Sequence, residues 1–398
     1  MKRIWILLVL NLMQSKTIVT QSSNDTSLES IPEDGKLNFS ELAVKYGHKC
    51  DEHQVVTEDG YILTVFNIKG NKNKPVFLMH GIIDNCDTFI VRGNTSLAIT
   101  LANQGYDVWA GNNRGNKYSK RHVTLDPDAD KKSFWNYSQH ELGVYDLPAM
   151  IDLVLNQTGQ TGLQAIGHSQ GNSIFYILTA EKPEYNDKIK LMIALAPICY
   201  LHHVKETVQV IIDVWPVISP ALQLSGTYEL LTRDSALVKA IEALCTRKLI
   251  GYAICATAVF AIAGPDKEEL EPEFLPILFG HYPDVATIKN GNHLVQIADK
   301  KRFTKYDYGL LSNYKVYGSA KAPNYLLENV RIPVALLVGQ NDYLSTVKDV
   351  ALLRKNLPNV VYYHEMQRPK TNHADFVWGK NMKDYLFPLV LELLQKYQ

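Results

Sequence analysis

Short apolar segments rich in β-branched residues alternate with segments of helical periodicity through the first half of the chain. The pattern predicts strands at 61–68, 75–79, 106–110, 163–166 and 189–196, and helices at 95–104, 141–155 and 171–180. Alternation of this kind is typical of a mostly parallel sheet with helices on both faces. We therefore predict an α/β fold.

The alternation stops near residue 200 and resumes near residue 326. Beyond that point the pattern predicts strands at 333–338 and 360–365, and helices at 346–357 and 383–396. The intervening residues are mostly helical or irregular. We therefore predict a core formed by 23–199 and 326–398, with a helical cap, 200–325, inserted before the last strands.

One segment of this insertion, residues 249–264, is apolar and carries no charge. A helix needs about 20 apolar residues to cross a bilayer, so this segment is too short, and we predict no transmembrane span. Two compatible interpretations remain: a buried helix of the insertion, or an apolar wall for a lipid chain.

Composition narrows the function classes further. The 398 residues are 46% hydrophobic and 21% charged, which is typical of a globular protein and excludes a disordered one. Lys plus Arg number 41 and Asp plus Glu number 41, so the formal net charge is zero. Without a basic excess to neutralise phosphates, we expect no nucleic-acid partner.

The N-terminus and the sequons indicate the secretory pathway. Lys2 and Arg3 precede the short apolar run 4–10, which is typical of a signal peptide, here assigned to 1–22. Five N-x-[ST] sequons follow, at Asn24, Asn38, Asn94, Asn136 and Asn156. We expect a secreted glycoprotein, with lysosomal delivery as the alternative.

The cysteine pattern excludes a disulfide scaffold and a C-x-x-C metal pair. The chain has five cysteines, Cys50, Cys86, Cys199, Cys245 and Cys255. Cys245 and Cys255 are the closest pair and could close a small loop in an oxidising compartment. The alternative is that all five are buried thiols.

A G-x-S-x-G pentapeptide, Gly167 to Gly171, carries the strongest chemical signal. It follows a predicted strand and precedes a predicted helix, which is the setting of a nucleophile elbow. The turn is tight, so glycines must flank a serine that is held in a strained backbone conformation. Ser169 is the predicted nucleophile.

A serine hydroxyl needs a base, and in this architecture the acid and then the histidine follow the serine along the chain. Asp342 follows the strand at 333–338, and His373 follows the strand at 360–365. The carboxyl ends of parallel strands bind ligands, so we assign Asp342 as the acid and His373 as the base. His364, within a strand, and Asp349, within a helix, are less suitably placed.

Acyl transfer also needs backbone donors for an oxyanion. One predicted donor is the N–H of Gln170, the residue after the nucleophile. The other is the N–H of Ile82, in the loop after an early strand, where Gly81 lets the backbone turn toward the substrate.

Several further motifs resemble those of the acid lipase family, which contains the gastric and lysosomal acid lipases. These motifs, in the order of the family, are VTEDGYIL at 56–63, HG at 80–81, YDVW at 106–109, GNNRGN at 111–116, YDLPA at 145–149, GHSQG at 167–171 and DFVWG at 375–379. The resemblance extends from about residue 40 to the C-terminus.

The resemblance implies an α/β-hydrolase core with a cap and hydrolysis of triacylglycerols or steryl esters at a lipid–water interface. The nucleophile, acid and base of the family fall on Ser169, Asp342 and His373, and its oxyanion donors fall on Ile82 and Gln170. It is also consistent with a cap disulfide between Cys245 and Cys255. No metal or organic cofactor is implied, and we expect a monomer.

Two other functions share parts of this pattern. A catalytically inactive lipid-binding protein on the same scaffold would be expected to lose the nucleophile or the base, whereas all three triad candidates are present. An esterase for small soluble esters would keep the chemistry, but the large apolar insertion favours a lipid substrate.

Overall fold

The computed structural model describes residues 31–247 and 249–398. The signal peptide assigned to 1–22 and the sequon at Asn24 lie outside these residues. The strands are β1 Cys50–Val56, β2 Ile62–Ile68, β3 Asn71–Met79, β4 Tyr106–Gly111, β5 Leu163–His168, β6 Ile189–Leu195, β7 Glu229–Leu230, β8 Ala286–Thr287, β9 Val334–Val338 and β10 Val360–Glu365.

Eight of these strands form one sheet in the order β1-β2-β4-β3-β5-β6-β9-β10. The β1–β2 and β2–β4 pairs are antiparallel, and every later pair, from β4–β3 to β9–β10, is parallel. Strands β4 and β5 are buried along their whole length. Burial on both faces explains why they are mostly apolar rather than alternating, and their buried polar residues Asp107 and Gln164 form hydrogen bonds.

Helices cover both faces of the sheet, as the sequence predicts. The α-helices are Phe39–Lys45, Leu97–Asn103, Lys131–Phe134, Gln139–Glu141, Leu147–Thr158, Gln170–Glu181, Glu206–Leu224, Ala236–Cys245, Leu249–Ala263, Leu275–His281, Ile288–Lys300, Leu310–Tyr317, Val347–Asn356, Asp375–Trp378, Met382–Tyr385 and Phe387–Lys396. A mostly parallel sheet covered in this way is the α/β-hydrolase fold, which confirms the predicted fold class.

Strand β3 shows how the two faces are filled. Its residues Val76 and Leu78 belong to one buried cluster, together with helices Phe39–Lys45 and Phe387–Lys396. The alternate residues Phe77 and Met79 belong to a second cluster on the other face. Successive side chains of a strand point to opposite faces, so one strand supports both layers.

The structure differs from the predicted elements in three places. Strand β1 was not predicted, because it lies at the sheet edge and its polar residues are half-exposed or exposed. The predicted helix 141–155 is part of a continuous helical segment, but its residues Leu142–Asp146 form a π-helical turn, and Pro148 occupies the first turn of the α-helix that follows. The predicted helix 383–396 is two helices, with Pro388 in the first turn of the second. Proline lacks an N–H and fits the start of a helix but not its interior.

The segment from β6 to β9 is mostly helical, with a small two-stranded sheet of β7 and β8. Its apolar segment forms helix Leu249–Ala263. Cys255, Ala256 and Phe260 on this helix are buried, whereas Ile254 is 49% exposed. The helix is therefore buried on one side and exposed on the other, rather than buried all round.

Among the described helices, Glu206–Leu224 has the length and hydropathy of a membrane span. It contains two prolines, Pro216 and Pro220, and it packs on helix Ile288–Lys300. Trp215 donates a hydrogen bond of 2.7 Å from Nε1 to the Asn292 side chain. This helix therefore packs on another helix of the segment between β6 and β9.

Candidate active site

Ser169 occupies the turn between strand β5 and helix Gln170–Glu181. Its backbone has φ 55° and ψ −124°, a conformation that costs free energy in a residue other than glycine. The helix begins at the next residue, so the hydroxyl lies at the carboxyl end of a central strand and at the N-terminus of a helix. The strained turn that the pentapeptide predicts is present.

The neighbouring glycines are required by close approach. A Cβ on Gly171 would overlap the backbone oxygen of Met79, and one on Gly167 would lie 2.7 Å from the Asn172 side chain. A Cβ on Gly81 would lie 3.0 Å from the Cβ of Ser169. The loop after β3 and the elbow therefore pack directly on each other.

Asp342 and His373 meet at the same edge of the sheet. Nδ1 of His373 lies 2.8 Å from Oδ2 of Asp342. The other oxygen of Asp342 accepts the N–H groups of Leu344, at 2.8 Å, and Ser345, at 2.7 Å. With both oxygens held, the buried carboxylate fixes the orientation of the imidazole.

His373 is also joined to the nucleophile turn. Nε2 of His168, the residue before Ser169, lies 2.9 Å from the backbone oxygen of His373, and the two rings have centroids 5.0 Å apart. Among the described residues, the Ser169 hydroxyl forms no hydrogen bond. Hydrogen bonds between a nucleophile and its base are often long in the absence of substrate.

The two predicted oxyanion donors border the same space. Ile82 follows β3 and is half-buried, and Gln170 is the first residue of its helix. The first N–H groups of a helix have no partner within that helix. A small cavity, with room for about one water molecule, is lined by both residues and also by Leu142 and Asn290.

The two less suitable candidates lie elsewhere. His364 lies within β10, and Asp349 lies within helix Val347–Asn356. Asp349 is paired with His203, whose Nδ1 is 2.7 Å from its carboxylate. Asp342, not Asp349, therefore contacts His373.

The insertion supplies contacts that sequence reasoning missed. The backbone oxygen of Ala263 accepts the N–H of His373, at 3.1 Å, and the N–H of Tyr343, at 3.4 Å. The side chains of Gln170 and Asn290 exchange two hydrogen bonds, each of 3.1 Å. The contact of Ala263 is made by backbone atoms, so no residue type could have signalled it.

The disulfide and the sequons are the remaining predicted features. Cys245 and Cys255 form a disulfide that joins helices Ala236–Cys245 and Leu249–Ala263. The free cysteines are Cys50, Cys86 and Cys199. The sequon residues Asn38, Asn94, Asn136 and Asn156 are all exposed. Asn38 also caps a helix by accepting the N–H of Glu41 at 2.9 Å through Oδ1.

Comparison with known proteins identifies the family. Residues 39–93 match a partial alpha/beta-hydrolase lipase region, and residues 74–224 match the alpha/beta hydrolase fold. An esterase structure from Rhodococcus sp. has a TM-score of 0.50 at 16% identity, covering 87% of this chain and 99% of that one, a likeness of fold alone.

Full-length relatives are more similar in sequence. Lipase 1 of Drosophila melanogaster is 37% identical, over 92% of this chain and 82% of its own. Human gastric triacylglycerol lipase is 32% identical, over 90% and 91%. Human lysosomal acid lipase/cholesteryl ester hydrolase is 31% identical, over 93% and 94%. The chain therefore belongs to the acid lipase family, whose members are α/β-hydrolase enzymes that cleave carboxylic esters.

Proposed function

We propose that this chain is a secreted serine lipase that hydrolyses neutral-lipid esters, triacylglycerols or steryl esters, through an acyl-enzyme on Ser169. One observation carries the proposal. Ser169 lies on a strained turn at the strand ends of the sheet, and the His373–Asp342 pair is joined to that turn through His168. Such a constellation can activate a hydroxyl group.

The reaction divides into two steps. The hydroxyl oxygen of Ser169 attacks the ester carbonyl while Nε2 of His373 takes its proton, and Asp342 stabilises the imidazolium. The N–H groups of Ile82 and Gln170 stabilise the oxyanion. His373 then gives the proton to the leaving alcohol, and the acyl group remains on Ser169.

Water completes the cycle. His373 takes a proton from a water molecule as the water oxygen attacks the acyl carbonyl. The bond to Ser169 breaks, the serine oxygen recovers the proton, and the fatty acid leaves. Each step uses side chains and backbone groups of this chain and one water molecule.

The organisation of the chain supports a lipid substrate. We propose that 23–199 and 326–398 form the catalytic core and that 200–325 form the cap. Cap residues Val210, Val217, Leu224 and Ile254 are apolar and between 48% and 91% exposed. An exposed apolar surface of this kind suits a lipid–water interface.

The relatives support the substrate class and the location. They are named as triacylglycerol and cholesteryl ester hydrolases of gastric and lysosomal origin. With the signal peptide at 1–22 and several exposed sequons, we propose a secreted glycoprotein, with the lysosome as the alternative.

A fluorophosphonate probe and emulsified triacylglycerol test the nucleophile. We expect the wild-type protein to be labelled at Ser169 and to release fatty acid, and Ser169→Ala to lose both properties while retaining its melting temperature. Ser133→Ala, at an exposed serine of a short helix, is the matched control and should retain both. Retained turnover in Ser169→Ala excludes the mechanism. Lipid binding by a wild-type protein that is neither labelled nor active would favour an inactive lipid-binding protein.

A further inference from the structure

His168 is a buried imidazole within the elbow that the proposed mechanism does not use. His168 is the last residue of strand β5, immediately before Ser169, and it is 6% exposed. One ring nitrogen, Nε2, lies 2.9 Å from the backbone oxygen of His373. Its ring therefore links the strand that carries the nucleophile to the loop that carries the base.

The partner of Nε2 defines the protonation of the ring. A carbonyl oxygen only accepts hydrogen bonds, so Nε2 carries the hydrogen and donates it. In the neutral imidazole Nδ1 is then bare, and this buried atom has no partner among the described residues. A buried polar atom without a partner costs free energy, so a residue that retains one calls for an explanation.

We propose that His168 is a positioning residue for His373. By donating to the His373 carbonyl, its neutral ring holds the base at a fixed distance from the nucleophile turn. The inference rests on the proposed function, because it gives a task to His168 only if His373 acts on Ser169.

Three anchors hold His373, and each comes from a different part of the fold. Asp342 binds the side chain, Ala263 of the insertion accepts the backbone N–H, and His168 donates to the backbone oxygen. Asp342 and Ala263 orient the ring relative to the neighbouring strand end and to the insertion. Of these three contacts, only the one with His168 connects His373 to the residue next to Ser169.

The position also demands a neutral ring. A cationic His168 beside His373 would oppose the proton transfer from Ser169. Burial, and then the neighbouring His373, lowers the pKa of His168 to about 3. The titratable groups that face it are His373 and His80, and burial lowers the pKa of His80 to about 4. His168 and His80 are therefore both uncharged at neutral pH.

Two nearly isosteric substitutions in the full-length enzyme test the proposal. The amide nitrogen of glutamine in His168→Gln reaches approximately the place of Nε2 and can donate to the His373 carbonyl, whereas His168→Met fills similar volume without a donor. On a soluble short-chain ester, we expect His168→Met to lower kcat by about 10- to 100-fold with KM nearly unchanged. His168→Gln should restore kcat to within about threefold of wild type.

The pH profile of kcat/KM tests whether His168 is neutral, and the kcat values of the two variants test whether it positions His373. Because His168 is neutral in the wild type, His168→Gln should leave the acid limb where it is. An increase of about one unit in the pKa of the acid limb would show that the substitution had removed a cation. That result would contradict a neutral His168. Wild-type kcat in His168→Met, or equal losses in both variants at wild-type melting temperature, would overturn the positioning role.

If His168→Met does not fold, the rate and acid limb of His168→Gln still decide, since a large loss or a shifted limb contradicts the proposal. Failure of the proposed function is seen separately, as turnover by Ser169→Ala. The two ideas are therefore tested by different variants.

Discussion

Two apolar helices of this molecule meet different environments. Helix Gln170–Glu181, after the elbow, buries eleven of its twelve residues, whereas helix Glu206–Leu224 of the insertion buries three of nineteen. In the second helix Val217 is 77% and Leu224 is 91% exposed. The core uses apolar residues to hold a strained turn, and the insertion presents them at the surface, where a lipid could bind.

Many polar contacts join the two regions, and three of them illustrate the boundary. Ala263 contacts the His373 loop, Asn290 contacts Gln170, and Lys289 forms an ion pair with Glu141 at 3.0 Å. The first two contacts reach proposed site residues, and the third joins the two regions through an ion pair. Substitutions on either side of this boundary therefore test whether the two regions differ as described.

The largest effect is expected within the core. Asp342→Asn should lower kcat on a soluble ester by about 10⁴-fold, because an amide favours the wrong tautomer of His373. Asp349→Asn is the matched control, since its carboxylate pairs with His203 instead, and it should change kcat little. Activity of Asp342→Asn close to wild type would show that another group serves as the acid.

The second-largest effect is expected at Gly264, which contacts the loop that carries Asp342. Gly264 has φ +103°, and a Cβ there would overlap the backbone oxygen of Asn341, next to Asp342. Gly264→Ala should lower both kcat and the free energy of unfolding, the latter by about 3 kcal/mol.

Gly226→Ala is the control for this variant. Gly226 has φ +80°, but a Cβ there meets nothing within 4 Å. Gly226→Ala should lower the free energy of unfolding only by the cost of backbone strain, about 1 kcal/mol, and leave kcat unchanged. Urea unfolding and the soluble-ester assay compare the two, and equal losses would show that the contact with Asn341 is unimportant.

A smaller effect concerns pH and the ion pair between the regions. Burial raises the pKa of Glu141, but Lys289 and His140 outweigh it and hold that pKa at about 2. A lowered pKa means that the carboxylate stabilises the fold above the ordinary value near 4.5 and loses this contribution as pH falls toward 2. Lys289→Met should lower the free energy of unfolding at pH 7 by about 1–3 kcal/mol.

The difference from wild type should narrow as pH falls from 4.5 toward 2, because the unfolded chain binds a proton in this range while the folded wild-type carboxylate still keeps its charge. Lys131→Met is the control, because Lys131 also reaches an insertion residue, Glu229, but at 3.9 Å and with 44% of its side chain exposed. Such exposed pairs contribute little. Urea unfolding between pH 3 and 7 measures both variants, and a pH-independent difference would contradict the assignment.

The smallest effect concerns the exposed apolar face. The double substitution Val217→Lys and Leu224→Lys should lower activity on emulsified long-chain ester by about tenfold, because charged side chains resist contact with lipid. Activity on a soluble short-chain ester and the melting temperature should not change. Val44→Lys, at a 61% exposed valine of a core helix, is the control and should alter neither activity. Equal losses on both esters would argue against a lipid-binding face.

Most of the sheet could be predicted because its central strands are short, apolar and separated by helical segments. The elbow could be predicted for a similar local reason, since strand, glycines and helix adjoin Ser169 in the chain. Strand β1 was missed because an edge strand with exposed polar residues has no clear apolar signal. The predicted helix 383–396 divides before Pro388, because proline starts a helix as readily as it ends one.

The sequence by itself determined the order of the elements and the residue types at the strand ends, because these depend on local periodicity and turn geometry. The tertiary structure decided which of those groups meet. It pairs His373 with Asp342 rather than with Asp349, it joins His168 to the His373 backbone, and it exposes apolar helix faces that composition alone suggests are buried. Such contacts link positions tens to hundreds of residues apart, and backbone oxygens are the same in every residue, so no local pattern encodes them.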